Sequence, residues 1–323
     1  MAGFRDTMRA VVQDRYGGPE VLRVEDVPVP SPAAGQVLVR VAATSLNLSD
    51  WECLTGSPLY ARIGGLRTPA RSTLGSDIAG VVESVGEGAT RFQPGDRVFG
   101  DNFALKGGFA ELALAPESAL ASLPESLDFV EASTIPQAGA IVLQGMARVR
   151  PGARVLINGA GGGSGTFAIQ LAKRRGAHVT AVDNASKLDH MRSLGADAVI
   201  DYEREDFTRG EPHDLVLDLV AHRSVFAYRR SVSRGGTYRC VGGSVGTLLR
   251  VLTAGSVLGL ATGRSLGVLV VKEGPEHFLP LAELVTAGDV RVHVDRTFTL
   301  DEVPEALAHV GAGRALGKVV VTP

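Results

Sequence analysis

Two textures of hydrophobic and polar positions divide the chain. Up to about residue 125, short runs rich in Val, Leu and Ile are cut by turn residues. The runs are MRAVVQ (8–13), EVLRVEDV (20–27), QVLVRVAATSL (36–46), IAGVVESVG (78–86), DRVFG (96–100) and FAELALA (109–115). YGGPE, PVPSPAAG, RFQPGD and KGG separate them. Such runs with Gly/Pro punctuation predict strands in a compact, barrel-like sheet. From about residue 126 the period changes. Apolar positions at helical spacing fill 128–149. Strands and helices then alternate: RVLIN (154–158), helix 163–175, HVTAV (178–182), helix 186–194, AVI (198–200), DLVLDL (214–219), helix 222–233, GTYRCVG (236–242), a helical stretch near 246–258 and GVLVV (267–271). This alternation predicts an α/β fold with a doubly wound parallel sheet and helices on both faces. The tail holds helix 276–287, VRVHV (290–294), TFTL (297–300), helix 301–311 and GKVVVT (317–322), and it fits poorly as more of the same sheet. The expected division is 1–125, 126–272 and a tail, 273–323, that returns to the first part.

At the first strand-to-helix turn stands GAGGGSG, residues 159–165. A strand that runs straight into a helix leaves unpaired N–H groups at the helix start, and these attract anions. Glycines let that backbone turn tightly and approach a diphosphate that a Cβ would keep away. Gly159-x-x-Gly162-x-x-Gly165 has the spacing for a dinucleotide, with Gly161, Gly162, Gly163 and Ser164 as the expected contacts. No Gly-Lys-Ser/Thr follows, so a nucleoside-triphosphate loop is excluded. Asp183 ends the second strand of this unit. A carboxylate there bonds the adenosine ribose hydroxyls of NAD and repels a 2′-phosphate by roughly 2–3 kcal/mol. Lys187 is close enough to offset part of that repulsion. The competing reading makes Asp183 the N-cap of the helix that begins near Ser186. The balance favours NAD(H) over NADP(H).

Composition adds exclusions. Hydrophobic residues make up 45% of 323 positions and the net charge is -2. A sizeable core fits those numbers, and no basic excess points to nucleic acid. Two distant cysteines, Cys53 and Cys240, give no disulfide framework. The start has no apolar signal-peptide core. The segment 251–271 is apolar but broken by Arg264 and glycines, so a buried helix followed by a strand is expected there, not a membrane span. A soluble, cytoplasmic protein is the expectation. Tyr16, Tyr60, Tyr202, Tyr228 and Tyr238 each lack a lysine four residues later, which removes the short-chain dehydrogenase reading.

Seven segments then carry a resemblance: SLNLSDW (45–51), LGSDIAGVVESVG (74–86), FQPGDRVFG (92–100), GGFAELALAP (107–116), INGAGGGSG (157–165), RSLGADAVIDY (192–202) and GKVVV (317–321). In this order the chain resembles the medium-chain dehydrogenase/reductase superfamily, in its zinc-independent quinone-oxidoreductase branch. The resemblance implies a GroES-like, β-rich barrel domain beside a Rossmann domain. It implies substrate held against a nicotinamide ring in an interdomain cleft, and a homodimer joined through an edge strand, for which 267–271 is the candidate. Zinc-dependent relatives carry Gly-His-Glu where this chain has Gly75-Ser76-Asp77, and no histidine precedes His178. Asp50, Asp77 and Cys53 would make a poor ligand set, and no metal is expected.

Without a metal, the expected reaction is hydride transfer from NAD(P)H to a quinone or an α,β-unsaturated carbonyl. The negative charge then rests on a carbonyl oxygen that needs hydrogen-bond donors. The resemblance supplies Asn47 beside the nicotinamide and Tyr60 near the substrate as catalytic candidates. For coenzyme contacts it supplies Asn47, Ile141, Tyr202, Val241, Gly242, Gly243, Leu269 and Lys318. Each has an ordinary reading as well: an Asx turn for Asn47, a surface loop for Tyr60, core packing for Tyr202, a plain turn for Gly242 and Gly243, a solvated strand start for Lys318. The chain departs from the family pattern at Leu48, where proline is usual, and at Ile141, where threonine is usual. It departs also at Asp183, where a small residue and NADPH are common. Two alternatives stay open: an enoyl reductase dedicated to one biosynthetic intermediate, and a weakly catalytic NAD(P)H-binding sensor or structural protein.

Overall fold

The computed structural model describes residues 6–323. They form two units: residues up to Gly139 with Glu273–Pro323, and Ala140–Lys272. The tail thus belongs with the first unit. The division falls after Gly139, not after residue 125, because the helix starts beyond 125 are tied to the first sheet. Ser45 Oγ donates to Ser133 O at 2.8 Å, and Gln137 N donates to Asp77 Oδ1 at 3.0 Å.

In the first unit, β1 (Thr7–Val12) and β2 (Arg23–Pro28) form an antiparallel pair. The main sheet uses β3 (Gln36–Leu46), β4 (Asp77–Val85), β5 (Arg97–Asp101), β6 (Leu112–Pro116) and β7 (Leu120–Ser122). From the tail come β14 (Val294–Thr299) and β15 (Lys318–Thr322), numbered here in full chain order. The strand order is β14-β15-β3-β4-β5-β7, with β6 paired to β3. Alternation along β3 and β4 sends Val37, Val39, Val41, Ile78 and Val82 into one core with Val98 and Leu120. A second core packs Leu46, Leu54 and Phe109 against Val303, Leu307, Val319 and Val321.

Helix α1 (Leu48–Thr55) has no counterpart in the sequence pattern, being too short to display a period. Its start is fixed by Asp50 Oδ2, which accepts Asn47 N–H at 2.9 Å, and its end by Gly56 at φ 62°. The helical stretch expected over 128–149 is two helices, α2 (Phe129–Ser133) and α3 (Pro136–Gly145). Pro136 brings no N–H and disfavours helical geometry in the residue before it, so the chain breaks there. The strands expected at 290–294 and 297–300 are one strand, β14. It begins only at Val294, where β15 offers a partner in Lys318. Helices α9 (Leu279–Thr286) and α10 (Val303–Gly311) complete the tail.

The second unit is a parallel six-stranded sheet in the order β10-β9-β8-β11-β12-β13. The strands are β8 (Arg154–Asn158), β9 (His178–Asp183), β10 (Ala198–Asp201), β11 (His213–Asp218), β12 (Val232–Cys240) and β13 (Ser265–Val268). Between them run α4 (Gly163–Arg174), α5 (Leu188–Ser193), α6 (Val225–Ser231), α7 (Val245–Arg250) and α8 (Ser256–Thr262). Strand order reverses at β8, which lies between β9 and β11. Ligands of open α/β sheets bind at such a reversal.

One expectation is overturned here. The helical stretch 245–262 is not buried: only 17% of it is covered, and Leu249, Leu252, Val257 and Leu260 are exposed. Its inward positions are Val251, Gly255 and Gly259, spaced four apart. Small residues bring the helix close to β13, so the large side chains point away from the sheet. By length and apolarity alone this stretch could cross a membrane. The edge strand is also shorter than expected, ending at Val268 and leaving Val270 81% exposed.

Candidate active site

The second unit presents the glycine turn as a cradle. Gly162 caps α4 in an extended conformation, and the following residues Gly163, Ser164 and Gly165 form the first helical turn. A Cβ on Gly165 would lie 2.4 Å from Gly159 O and 2.5 Å from Ala160, so β8 and α4 meet too closely for any side chain. A Cβ on Gly162 would meet only Gly159 O at 3.6 Å. The space above Gly162 is therefore open, and the helix-start N–H groups face it. A diphosphate fits this place.

Asp183 lies against the same turn. Its Oδ2 accepts Gly161 N–H at 3.0 Å, its Oδ1 accepts Asn184 N–H at 2.9 Å, and Lys187 Nζ stands 3.5 Å from Oδ1. Both side chains are buried, at 7% and 5% exposed. The N-cap role considered for Asp183 belongs to its neighbour: Asn184 accepts Ser186 N–H with its side chain. Tyr202 joins this end through its backbone N–H, which donates to Asp183 O at 3.2 Å, while the side chain stays 42% exposed. The structure thus gathers Gly161, Asp183, Lys187 and Tyr202 at one place.

Behind the turn, Asp218 at the end of β11 is fully buried. Asn158 Nδ2, Tyr238 Oη and the N–H groups of Val220 and Ala221 all donate to it, at 2.8, 2.9, 3.0 and 2.8 Å. Tyr228 stacks on Tyr238 with ring centroids 4.3 Å apart. Burial, then the Asp218 charge, raises both phenols above their ordinary range, so both stay neutral: Tyr238 donates to Asp218, and Tyr228 Oη accepts Arg223 N–H at 2.8 Å. Val241 N donates to Asp218 O at 2.9 Å, and Gly242 and Gly243 follow at φ 76° and 110°. Leu269 N donates to Cys240 O at 2.9 Å, and Ile141 is half-buried on α3.

The first unit contains a network of buried charge. Asn47 is the hub. Lys318 Nζ donates to Asn47 Oδ1 at 2.9 Å, and Asn47 Nδ2 donates to Asp77 Oδ2 at 2.9 Å. An ammonium only donates and a carboxylate only accepts, so the amide has one possible orientation. Asp77 Oδ1 takes Gln137 N–H, and Ser45 Oγ donates to Oδ2 at 3.3 Å. Lys318 Nζ lies 3.5 Å from Asp77 Oδ2, with the lysine 2% and the aspartate 0% exposed. Asp50 accepts Asn47 N–H and Gly75 N–H.

Burial pushes the carboxyls of Asp77 and Asp50 upward. Lys318 opposes this first at Asp77, and Lys106 first at Asp50. Burial lowers Lys318, against the charge of Asp77. Burial, then the Asp77 charge, holds Asp101 well above the usual carboxylate range. Lys318 is therefore not the solvated strand-start lysine of the ordinary reading: its ammonium is committed to Asn47 and Asp77. Tyr60 donates its proton to Glu52 Oε1 at 3.0 Å on α1. The pattern of strands gave no sign of this network, because its members come from five separate segments. Lys106 and Asp101 were missed altogether: one sat in a turn signal and the other just past an expected strand end.

Comparison with known proteins places these features. Residues 33–125 match the alcohol dehydrogenase GroES-like domain, and residues 194–321 match the family described as zinc-binding dehydrogenase. The chloroplastic quinone-oxidoreductase QR1 of Triphysaria versicolor is 32% identical over 98% of both chains. A 2-methylene-furan-3-one reductase of Solanum lycopersicum is 31% identical, over 98% of this chain and 79% of its own. The solved quinone oxidoreductase of Coxiella burnetii superposes with a TM-score of 0.89 at 30% identity, covering 98% of this chain and 99% of that one. The fold is that of a two-part dehydrogenase with a GroES-like and a Rossmann half. Within it, the chain belongs to the quinone-oxidoreductase-like branch of the medium-chain dehydrogenase/reductase superfamily.

Proposed function

We propose that this chain is an NAD(P)H-dependent oxidoreductase that reduces quinones or α,β-unsaturated carbonyls, that it prefers NADH, and that it works without zinc. Relatives named quinone oxidoreductase and 2-methylene-furan-3-one reductase support the reaction class. When bound, the coenzyme supplies the hydride. The protein's part is to hold it and to receive charge on the acceptor oxygen.

The observation that carries the coenzyme reading is Asp183 on the N–H of Gly161, beside the open place above Gly162. A carboxylate has about four acceptor positions, so ribose hydroxyls can donate to those that Gly161 and Asn184 leave. Lys187 is already paired with Asp183. Its charge is therefore not fully at hand for a 2′-phosphate, which supports NADH. The zinc-free reading is supported by Lys318, whose ammonium lies against Asp77. A divalent ion on that carboxylate would meet the like charge of an ammonium that itself stands 3.5 Å from Oδ2.

Stopped-flow oxidation of NADH and NADPH by 1,4-benzoquinone and by 3-penten-2-one tests the reading. The expected kcat/KM is at least tenfold higher with NADH and unaffected by a chelator. Equal or better use of NADPH defeats the preference, and loss of turnover in chelator defeats the zinc-free reading. Tight NADH binding with no turnover favours the sensor. In Asp183→Ala, the NADH advantage should fall by about tenfold or more, in line with a lost charge-assisted hydrogen bond of about 1.5–3 kcal/mol.

A second copy is the proposed partner. Edge strand β13 and the uncovered Leu249, Leu252, Val257 and Leu260 support pairing along that side. Light scattering on a sizing column should give twice the chain mass of 33.7 kDa, and a monomer at micromolar concentration rejects it.

A further inference from the structure

Around Asn47 the charged and aromatic donors are committed, while Ser76 Oγ and, farther off, Gln13 Nε2 have no partner among the described residues. Lys318 serves Asn47 and Asp77, one N–H of Asn47 serves Asp77, and Tyr60 serves Glu52. Lys106 is different. It is 7% exposed, and its Nζ meets no oxygen acceptor among the described residues; the Cys53 thiol and the face of Phe103 are its neighbours. An ammonium taken from water with only such weak partners is among the most unfavourable groups a fold can bury.

The surroundings hold it in place nonetheless. Lys106 sits at φ 57°, a left-handed conformation uncommon for a side chain of this size. Asn102 fixes the backbone on both sides: Lys106 N donates to Asn102 O at 2.7 Å, and Asn102 Nδ2 donates to Lys106 O at 2.6 Å. The ammonium covers the ring of Phe103 at 4.4 Å, and that ring is itself 39% exposed. Its charge acts on Asp50, Glu52 and Cys53 of α1 and on Asp101 of β5. Asp50 also accepts Asn47 N–H, so the Lys106 charge and the Asn47 backbone act on one carboxylate.

A strained backbone, two hydrogen bonds to its peptide and an unmet cation form a site built to receive an acceptor from outside. We propose that the Lys106 ammonium binds the carbonyl oxygen of the acceptor substrate and stabilises it as an oxyanion. The assignment rests on the reductase reading above. Hydride from the reduced nicotinamide coenzyme forms a new C–H bond at the β-carbon. The C=C pair moves to the bond between α-carbon and carbonyl carbon, and the carbonyl π pair moves onto oxygen. Lys106 donates to that oxygen. A solvent proton then reaches the α-carbon and the ketone re-forms. One reduced coenzyme and one proton are consumed for each C=C bond reduced.

The role also explains Tyr60. Its one hydroxyl proton is turned to Glu52, so the donor that sequence reasoning placed there lies instead at Lys106.

The test uses Lys106→Met and Lys106→Arg in the full chain. The coenzyme-free protein is titrated with 4-nitrophenolate, an oxyanion followed by its absorbance. Lys106→Met should bind it at least tenfold more weakly, and Lys106→Arg should recover part of the affinity. Equal affinity rejects the proposal. With NADH and 3-penten-2-one, kcat of Lys106→Met should fall about 10²–10³-fold, the range seen when one oxyanion donor is removed. Wild-type turnover matched by Lys106→Met rejects Lys106 alone. If the wild type reduces no acceptor, the reductase reading fails, and the phenolate titration still decides Lys106.

Discussion

The two units hold their polar chemistry in opposite ways. In the second, a turn of seven residues offers backbone N–H groups, and its partners follow soon after, Asp183 at the end of the next strand and Lys187 in the short turn beyond it. In the first, side chains do most of the work. Ser45, Asn47, Asp50, Asp77 and Lys318, with the backbone N–H of Gln137, come together from positions spread over most of the sequence. Backbone donors tolerate neighbours that change, provided no Cβ intrudes. A buried side-chain network does not, because each member neutralises or satisfies another.

The sharpest way to break this contrast is Lys318→Met. It leaves Asp77 buried with its counter-charge removed, which should destabilise the fold by about 3–5 kcal/mol. Urea unfolding reads it, and a change below about 1 kcal/mol would mean that the hydrogen bonds from Asn47 and Gln137 hold Asp77 unaided. A smaller effect separates two glycines of one turn. Gly165→Ala forces a Cβ onto the backbone of Gly159 and Ala160 and should cost about 1–3 kcal/mol or more. Gly162→Ala meets no such obstacle, so its melting temperature should hold while NADH affinity falls at least tenfold in calorimetry. If both variants melt alike and bind alike, the cradle is misplaced.

Tyr238→Phe sharpens the comparison within the second unit, where one side-chain network does exist. Asp218 keeps three other donors, so the loss should be about 1–3 kcal/mol, at the lower end of that range. The smallest effect concerns pH. Burial, then the charge of Arg154, holds the His213 imidazole below its ordinary value of 6.5. The folded chain therefore resists protonation that the unfolded chain accepts. Stability from this residue is complete above about pH 6.5 and is lost as pH falls below it towards the folded value. His213→Gln should flatten that slope, and an unchanged slope removes His213 from the acid response.

The contrast also explains what could be read from sequence. The glycine turn, Asp183 and the parallel sheet were legible because strand, turn and helix are consecutive, and their spacing is itself the signal. Lys318 was legible as a strand-start lysine that the resemblance marked for a coenzyme contact, not as a buried ion. That its ammonium would be buried against Asp77 depends on β15 lying beside β3, a pairing of residues more than 270 positions apart. Helix α1 escaped notice because eight residues with polar caps have no visible period. The helical stretch 245–262 was recognised as helix but placed inside, since hydrophobicity alone does not say which face a helix turns to its sheet. Its glycines did carry that information: spaced four apart, they mark the side that must come close.

The position of β15 has a further consequence for how the chain is made. On the ribosome, Asp50 and Asp77 emerge long before the lysine at 318 that balances them, and the whole of residues 140–272 is synthesised in between. At roughly 5–20 residues per second the interval from Asp77 to Lys318 is on the order of 10–50 s. The Rossmann sheet can close within it, being continuous in sequence. The GroES-like half must wait with its β3 edge bare until the late strand arrives.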